Sequence, residues 1–238
     1  MQLFICSYCE DPKGEVVIKD SPDLVQQLRK VLRAKKGYPF YIQDFAWTER
    51  LYVELVDYTD KEITVHLLEK EKAPHETSCI WMVISFPNKQ EKLELIIQKL
   101  TEIWISHLYL WDAERSQVRT LNENKLKRIE KIVHEAVEQS RGWTIPKIEI
   151  IQDLKVLADQ WNFVVFDLGK KEKSESKIKE DLPLLWVIGP EWWLSPKDYE
   201  QFPSHYQVKS LWNTVLRMET ASIVGAWWLK HFFIKNEI

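Results

Sequence analysis

The stretch with the most chemical promise runs from Leu184 to Ala226 of the 238-residue chain. An apolar run, Leu184 to Ile188, breaks at Gly189-Pro190-Glu191, and a second run ends in Leu216-Arg217-Met218-Glu219-Thr220-Ala221. A Gly-Pro-Glu turn between a strand and a helix can present backbone N–H groups to a nucleotide or adenosine ligand. Spacing alone does not separate that use from an ordinary strand-to-helix turn. Other chemical signals are few. No P-loop lysine, GxGxxG, HExxH or GxSxG occurs, and the six His residues lack metal-ligand spacing, so no metal is expected. Cys6-Ser7-Tyr8-Cys9 is a lone CxxC with no helix start after it and reads as strand. Arg29, Lys30, Arg33, Lys35 and Lys36 fall within eight residues. They form either a solvated helix end, where cations are favoured, or a patch that contacts phosphate.

Composition narrows the class. The net charge of −3 gives no global basic field, so any RNA contact must come from local patches. Three cysteines make no disulfide framework in a chain of this length. The start, MQLFICSYCED, lacks the pattern of a secretory signal, and no apolar run approaches the ~18 residues of a membrane span. A soluble, cytoplasmic protein is expected.

The elements that must position these residues fall into two textures. Residues 1–68 alternate short β-rich runs with turns: Leu3 to Cys9, Val16 to Ile18, Pro39 to Asp44, Arg50 to Asp57 and Glu62 to Leu68. One helix interrupts them, with Ser21 as expected N-cap, Pro22 at its first position, and Leu24, Leu28, Val31 and Leu32 as its apolar face. Many strands with one helix predict a compact barrel over residues 1–70. Glu69 to Thr77 reads as a linker. Beyond it strands (Cys79 to Ser85, Leu108 to Trp111, Ile148 to Ile151, Phe163 to Leu168, Leu184 to Ile188) alternate with helices. The helices are Lys89 to Leu100, Asn122 to Ser140, a short one from Leu154 to Gln160, and Met218 to Phe233. This order predicts an α/β domain over residues 71–238 with a parallel sheet covered on both faces. Ligands of such sheets bind beyond the carboxyl ends of the strands.

Five ordered segments carry a resemblance. They are Gln98-Lys99-Leu100-Thr101-Glu102-Ile103, Glu114-Arg115-Ser116, Glu135-Ala136-Val137-Glu138-Gln139-Ser140, Ile188-Gly189-Pro190-Glu191 and Leu216 to Ala221. In order and spacing they resemble the RsmE-type small-subunit ribosomal RNA uridine N3-methyltransferases of the SPOUT, or trefoil-knot, superfamily. The resemblance implies an N-terminal PUA-like RNA-binding β-barrel, a knot at about 184–226, S-adenosylmethionine as cofactor, and a homodimer acting on small-subunit ribosomal RNA. Carried over residue by residue, it implies cofactor contacts from Ile188, Gly189, Pro190, Glu191, Trp192, Trp193, Leu211, Trp212, Asn213, Leu216 and Thr220. Methyl transfer to N3 requires loss of the imino proton and alignment of the nitrogen, which points to Arg217 and Glu219. Both also suit a structural pair at a helix start. Arg29, Lys30, Arg33, Lys35, Arg115 and Gln139 are the candidate RNA contacts.

One departure is systematic. Where the family has glycine, this chain has Trp47, Trp104, Trp192, Trp193 and Trp212. The chain holds 6 glycines and 12 tryptophans, together 18 of 238 residues, close to an ordinary glycine content of about 7%. Indoles at such turns disfavour the left-handed conformations glycine allows, at roughly 1–2 kcal/mol each, and fill space beside a ligand. One reading is an inactive RNA-binding paralogue whose pocket is filled by Trp. The other is a source that decodes UGA as glycine, which restores both the motifs and the glycine content.

Overall fold

The computed structural model describes residues 2–11, 15–46, 49–73, 80–116, 120–167, 179, 181–204, 206–211 and 213–235. Trp47, Cys79, Trp212 and most of the expected 169–181 loop lie outside them. The chain forms two compact units, Met1–Thr77 with Val137–Thr144, and Ser78–Ala136 with Ile145–Ile238.

The first unit is a six-stranded sheet in the order β1-β4-β5-β6-β3-β2. Its strands are β1 (Leu3–Ile5), β2 (Tyr8–Glu10), β3 (Glu15–Lys19), β4 (Pro39–Gln43), β5 (Glu49–Tyr58) and β6 (Glu62–Lys72). Leu51, Val53, Leu55, Ile63 and Val65 all point into the core, as their period-two spacing predicts. The sheet is open: β1 and β2 end it without a mutual ladder among the described residues, so the expected closed barrel is not formed. The Leu3–Cys9 run divides into two strands, and β6 extends to Lys72, well into the expected linker.

Helix α1 (Pro22–Gln26) widens into a π-helical turn over Gln27–Val31, closed by Leu32 N–H on the Gln27 carbonyl at 2.9 Å. The wider turn rotates the later residues about the helix axis, so Leu24 and Leu28 are buried while Val31, expected on the same face, is 72% exposed. Ser21 is the N-cap residue, as expected, and its carbonyl accepts from Val25 N–H at 3.1 Å, but its hydroxyl makes no cap bond and donates back to the Lys19 carbonyl at 3.3 Å. Residues 137–144 join this unit through specific bonds. The Ile5 amide donates to Glu138, and buried Arg50 donates to the Gly142 carbonyl at 2.8 Å while stacking on Trp143.

The second unit is an all-parallel sheet in the order β12-β10-β11-β7-β8-β9. The strands are β7 (Trp81–Ser85), β8 (His107–Trp111), β9 (Lys147–Ile151), β10 (Asn162–Phe166), β11 (Leu184–Ile188) and β12 (Gln207–Lys209). The central strands are apolar at nearly every position, as strands covered on both faces must be. The sequence runs β7, β8, β9 toward one edge, then crosses so that β11 enters between β10 and β7. Helices α2 (Gln90–Glu102), α3 (Glu123–Ser140), α4 (Pro196–Tyr199) and α5 (Met218–Lys235) complete the unit. The expected helix at 154–160 is a 3₁₀ turn over Leu154–Leu157. Helix α5 packs on α2 and β11, and a Cβ at its Gly225 would lie 3.3 Å from the Phe166 ring.

Helix α2 ends in a motif that prescribes its residue. Trp104 N–H bonds to the Thr101 carbonyl and Ile105 N–H to the Leu100 carbonyl, with Trp104 at φ +67°. This is a Schellman cap whose left-handed position normally belongs to glycine. Trp104→Gly is therefore expected to be about 1 kcal/mol more stable than Trp104→Ala by urea denaturation, since only Gly relieves the left-handed strain. At an ordinary helical position the order reverses.

Buried Asp198 joins two segments, the start of its own helix and the loop after β8. Its carboxylate accepts from the amides of Glu114 (2.9 Å) and Ser195 (2.8 Å), and its own amide donates to the Ser195 hydroxyl. Asp198→Ala strands two N–H groups and is expected to destabilise the protein by ~2–4 kcal/mol in the same assay.

Candidate active site

Three adjacent parallel strands end side by side at Phe166, Ile188 and Lys209. The chain leaving each end walls a cavity of about 110 Å³. Asp167 follows β10, Gly189-Pro190-Glu191 with Trp193 and Leu194 follow β11, and Ser210-Leu211 follow β12. Thr214, Val215, Leu216, Met218 and Ala221 close it from the segment entering α5. The floor at Gly189 leaves no room for a side chain, because a Cβ there would sit 2.8 Å from Leu194 Cγ. The cavity is smaller than the ~300–1,000 Å³ typical of ligand clefts.

Of the residues predicted to bind a cofactor, Ile188, Gly189, Pro190, Glu191, Trp193, Leu211 and Leu216 line this cavity. Trp192, Asn213 and Thr220 are exposed and are not part of its wall. Trp212 lies outside the described residues. Trp193 stands in the wall at 43% exposure; its backbone is at φ +67° and its amide N–H donates to the Pro190 carbonyl. A bulky residue held in the left-handed region costs roughly 1–2 kcal/mol, so both this turn and the α2 cap have glycine backbones carrying indoles. Trp192 has an ordinary φ and is 62% exposed.

Glu219 lies in the first turn of α5, where a carboxylate is favoured by the helix dipole. Its side chain is 16% exposed, and Oε2 is buried with no hydrogen-bond donor among the described residues. Lys92 Nζ on α2 lies 4.0 Å from that oxygen and also pairs with Glu191. Arg217, two residues earlier, is exposed. The structure thus brings Glu191 and Glu219 together around one ammonium and leaves Arg217 toward solvent.

A second polar contact sits on the far wall. Tyr199 donates its hydroxyl to Asp167, and burial together with that carboxylate pushes the phenol well above its usual range, so it stays protonated. Arg115 donates to the Trp192 carbonyl at 2.6 Å, fastening the turn after β11 to the loop after β8. Lys197 on α4 pairs with Glu114 at 2.7 Å and ties that helix to the same loop after β8. The guanidinium of Arg115 retains other donors, but its first job is positional.

The remaining predicted RNA contacts belong to the first unit. Arg29, Lys30, Arg33 and Lys35 are all exposed along 29–35, with Arg29 held by Asp60 at 2.7 Å and lying over the Tyr58 ring. Gln139 is exposed in the last turn of α3. In that unit Tyr41 and Tyr52 pack with ring centroids 5.0 Å apart, and the Arg141 guanidinium lies 5.9 Å from Tyr41.

Sequence reasoning missed Lys92, Asp167, Asp198 and Tyr199. Asp198 had a legible signal, since Ser195-Pro196-Lys197-Asp198 spells a capping box with Pro at the first helical position. Lys92 had none, being one of two lysines on α2 with nothing in the local sequence to single it out. Among the described residues no group of His, Cys, Asp and Glu could hold a metal, and no helix is long and apolar enough to cross a membrane.

The chain is similar to several known proteins. The small-subunit ribosomal RNA methyltransferase E of Rickettsia conorii is 28% identical over 182 residues, covering 72% of each chain. Its counterpart from Bacillus subtilis is 32% identical over 152 residues, covering 57% of this chain and 59% of that one. The crystal structure of the Neisseria gonorrhoeae enzyme of that name, bound to S-adenosyl methionine, superposes with a TM-score of 0.79 at 19% identity over 98% of both chains. The profile of the RNA methyltransferase domain matches residues 75–230, well over half of the sequence, and the chain belongs to that family.

Proposed function

We propose that this protein transfers a methyl group from S-adenosylmethionine to N3 of a uridine in small-subunit ribosomal RNA. The observation that carries this reading is the cavity at the joined carboxyl ends of β10, β11 and β12, beside a buried Glu219 oxygen with no hydrogen-bond donor among the described residues. Its make-up suits the cofactor. Ile188, Leu211, Leu216 and Met218 give an apolar wall for a nucleoside, Asp167 and Ser210 give polar groups, and Gly189 allows close backbone approach. When bound, the cofactor supplies an electrophilic methyl group. Ile188 to Glu191, Trp193, Leu211 and Leu216 would hold it, and the same reading adds Trp192, Trp212, Asn213 and Thr220.

The chain's own residues then have two tasks. Uridine N3 carries a proton that must leave as the new bond forms, and Glu219 is the acceptor. Arg217 at the mouth orients the base or its phosphate. Arg29, Lys30, Arg33, Lys35, Arg115 and Gln139 supply further RNA contacts, aided by the Tyr41–Tyr52 pair on which an unpaired base can stack. In this reading residues 1–70 are a PUA-like module and 71–238 a SPOUT domain with its knot at about 184–226. Entry of β11 between β10 and β7 supports the knot. Exposed Val215, Trp192 and Trp227 support a homodimer in which the partner covers the site. A ribosomal RNA substrate sets the work in the cytoplasm.

The left-handed backbones of Trp104 and Trp193 support glycine as the residue the source places there. UGG at codons 47, 104, 192, 193 and 212 would end that idea. In calorimetry the chain as written is expected to bind S-adenosylmethionine weakly. Trp192→Gly with Trp193→Gly is expected to bind at least ~10-fold tighter, a gain of about 1.4 kcal/mol. A double variant that still binds nothing would favour the inactive RNA-binding paralogue. Glu219→Gln is expected to lower kcat for methylation of undermethylated small subunits ~100-fold with little change in the KM for cofactor; a raised KM at unchanged kcat would remove Glu219 as proton acceptor.

A further inference from the structure

We infer that Lys92 is a positioning residue for methyl transfer, acting through Glu219; the inference rests on the methyltransferase reading above. Lys92 is the third residue of α2, and its ammonium pairs with Glu191 Oε1 and lies 4.0 Å from Glu219 Oε2. One cation therefore serves the turn after β11, the first turn of α5 and its own helix. Both carboxylates are 16% exposed and Lys92 is 28% exposed, so solvent screens this cluster less than an open surface pair.

The geometry sets the role. Two carboxylates gathered this closely repel unless a cation lies between them, and the covered Glu219 oxygen has no hydrogen-bond donor among the described residues. Lys92 is the charge that offsets the two carboxylates and holds Glu219 in place beside Glu191. The same ammonium fixes Glu191, so the turn that walls the cavity and the proton acceptor are held in one register. A compact ammonium can face two carboxylates from different directions, and Arg keeps the charge while changing the shape. Like Glu219, Lys92 stands outside the cavity wall, and its contact with the wall runs through Glu191.

The test uses Lys92→Met, Lys92→Arg, Glu219→Gln and the Lys92→Met/Glu219→Gln pair. Each is made in the chain as it stands and in the chain carrying Trp192→Gly and Trp193→Gly. Lys92→Met is expected to lower kcat at least ~10-fold, with the cofactor KM within about threefold, and Lys92→Arg to restore most of the loss. The pair is expected to be no slower than Glu219→Gln alone, because Lys92 acts through that carboxylate. Lys92→Met turning over like its parent, or losses that multiply in the pair, would overturn the role. A parent that neither binds cofactor nor transfers methyl sinks the methyltransferase reading instead. In that event the clamp is still decided in the free protein. Coupling between Lys92 and Glu219 in the unfolding midpoints of the same chains sustains it, and strictly additive midpoints overturn it.

Discussion

The constraint on which the site depends is the placement of β11 between β10 and β7, parallel to both. A chain that leaves the middle of a parallel sheet emerges between two neighbours whose own chains leave on the same side. There is little room at that exit, and the backbone has to turn at once. Gly189 meets this need by having no Cβ, since Leu194 folds back to within 2.8 Å of where one would stand. The crowding that forbids a side chain also makes the cavity, because β10, β11 and β12 all deliver loops to one place.

The loops are held by a few charged contacts whose partners are distant in sequence. Asp198 closes its own capping box and takes the Glu114 amide, Arg115 takes the Trp192 carbonyl, and Gln201 accepts from both Trp111 and the Leu154 amide. Each removes an otherwise unmet backbone or indole group at the end of a strand. Together they make the turn after β11 a braced element, against which Lys92 can set the two carboxylates of the mouth.

The tryptophans bear on this frame in two ways. At Trp104 and Trp193 the backbone adopts the left-handed conformation regardless of the bulky side chain, because cap hydrogen bonds and the strand exit fix it. Fold therefore survives the exchange of Gly for Trp. Cavity space does not, since the Trp193 indole occupies part of the wall that a ligand needs. Lys230, by contrast, makes use of Trp104, lying 4.5 Å over its ring while bonding the Ile103 carbonyl.

The sequence by itself determined the strand and helix inventory, the parallel α/β character of the second unit, and the segments from which the cavity is built. These come from local periodicity and from runs such as Leu184 to Ile188, which need no distant partner to be read. It misjudged Val31, because a π-turn depends on how α1 meets the sheet, and it closed a barrel that remains an open sheet, because closure depends on how the end strands β1 and β2 meet. Only the tertiary structure decided that Glu191 and Glu219 share Lys92, that Arg115 serves a carbonyl, and that Trp192, Asn213 and Thr220 stand apart from the cavity wall. Those outcomes depend on the crossing that places β11 at the centre, and a crossing leaves no periodic trace in the residues that make it.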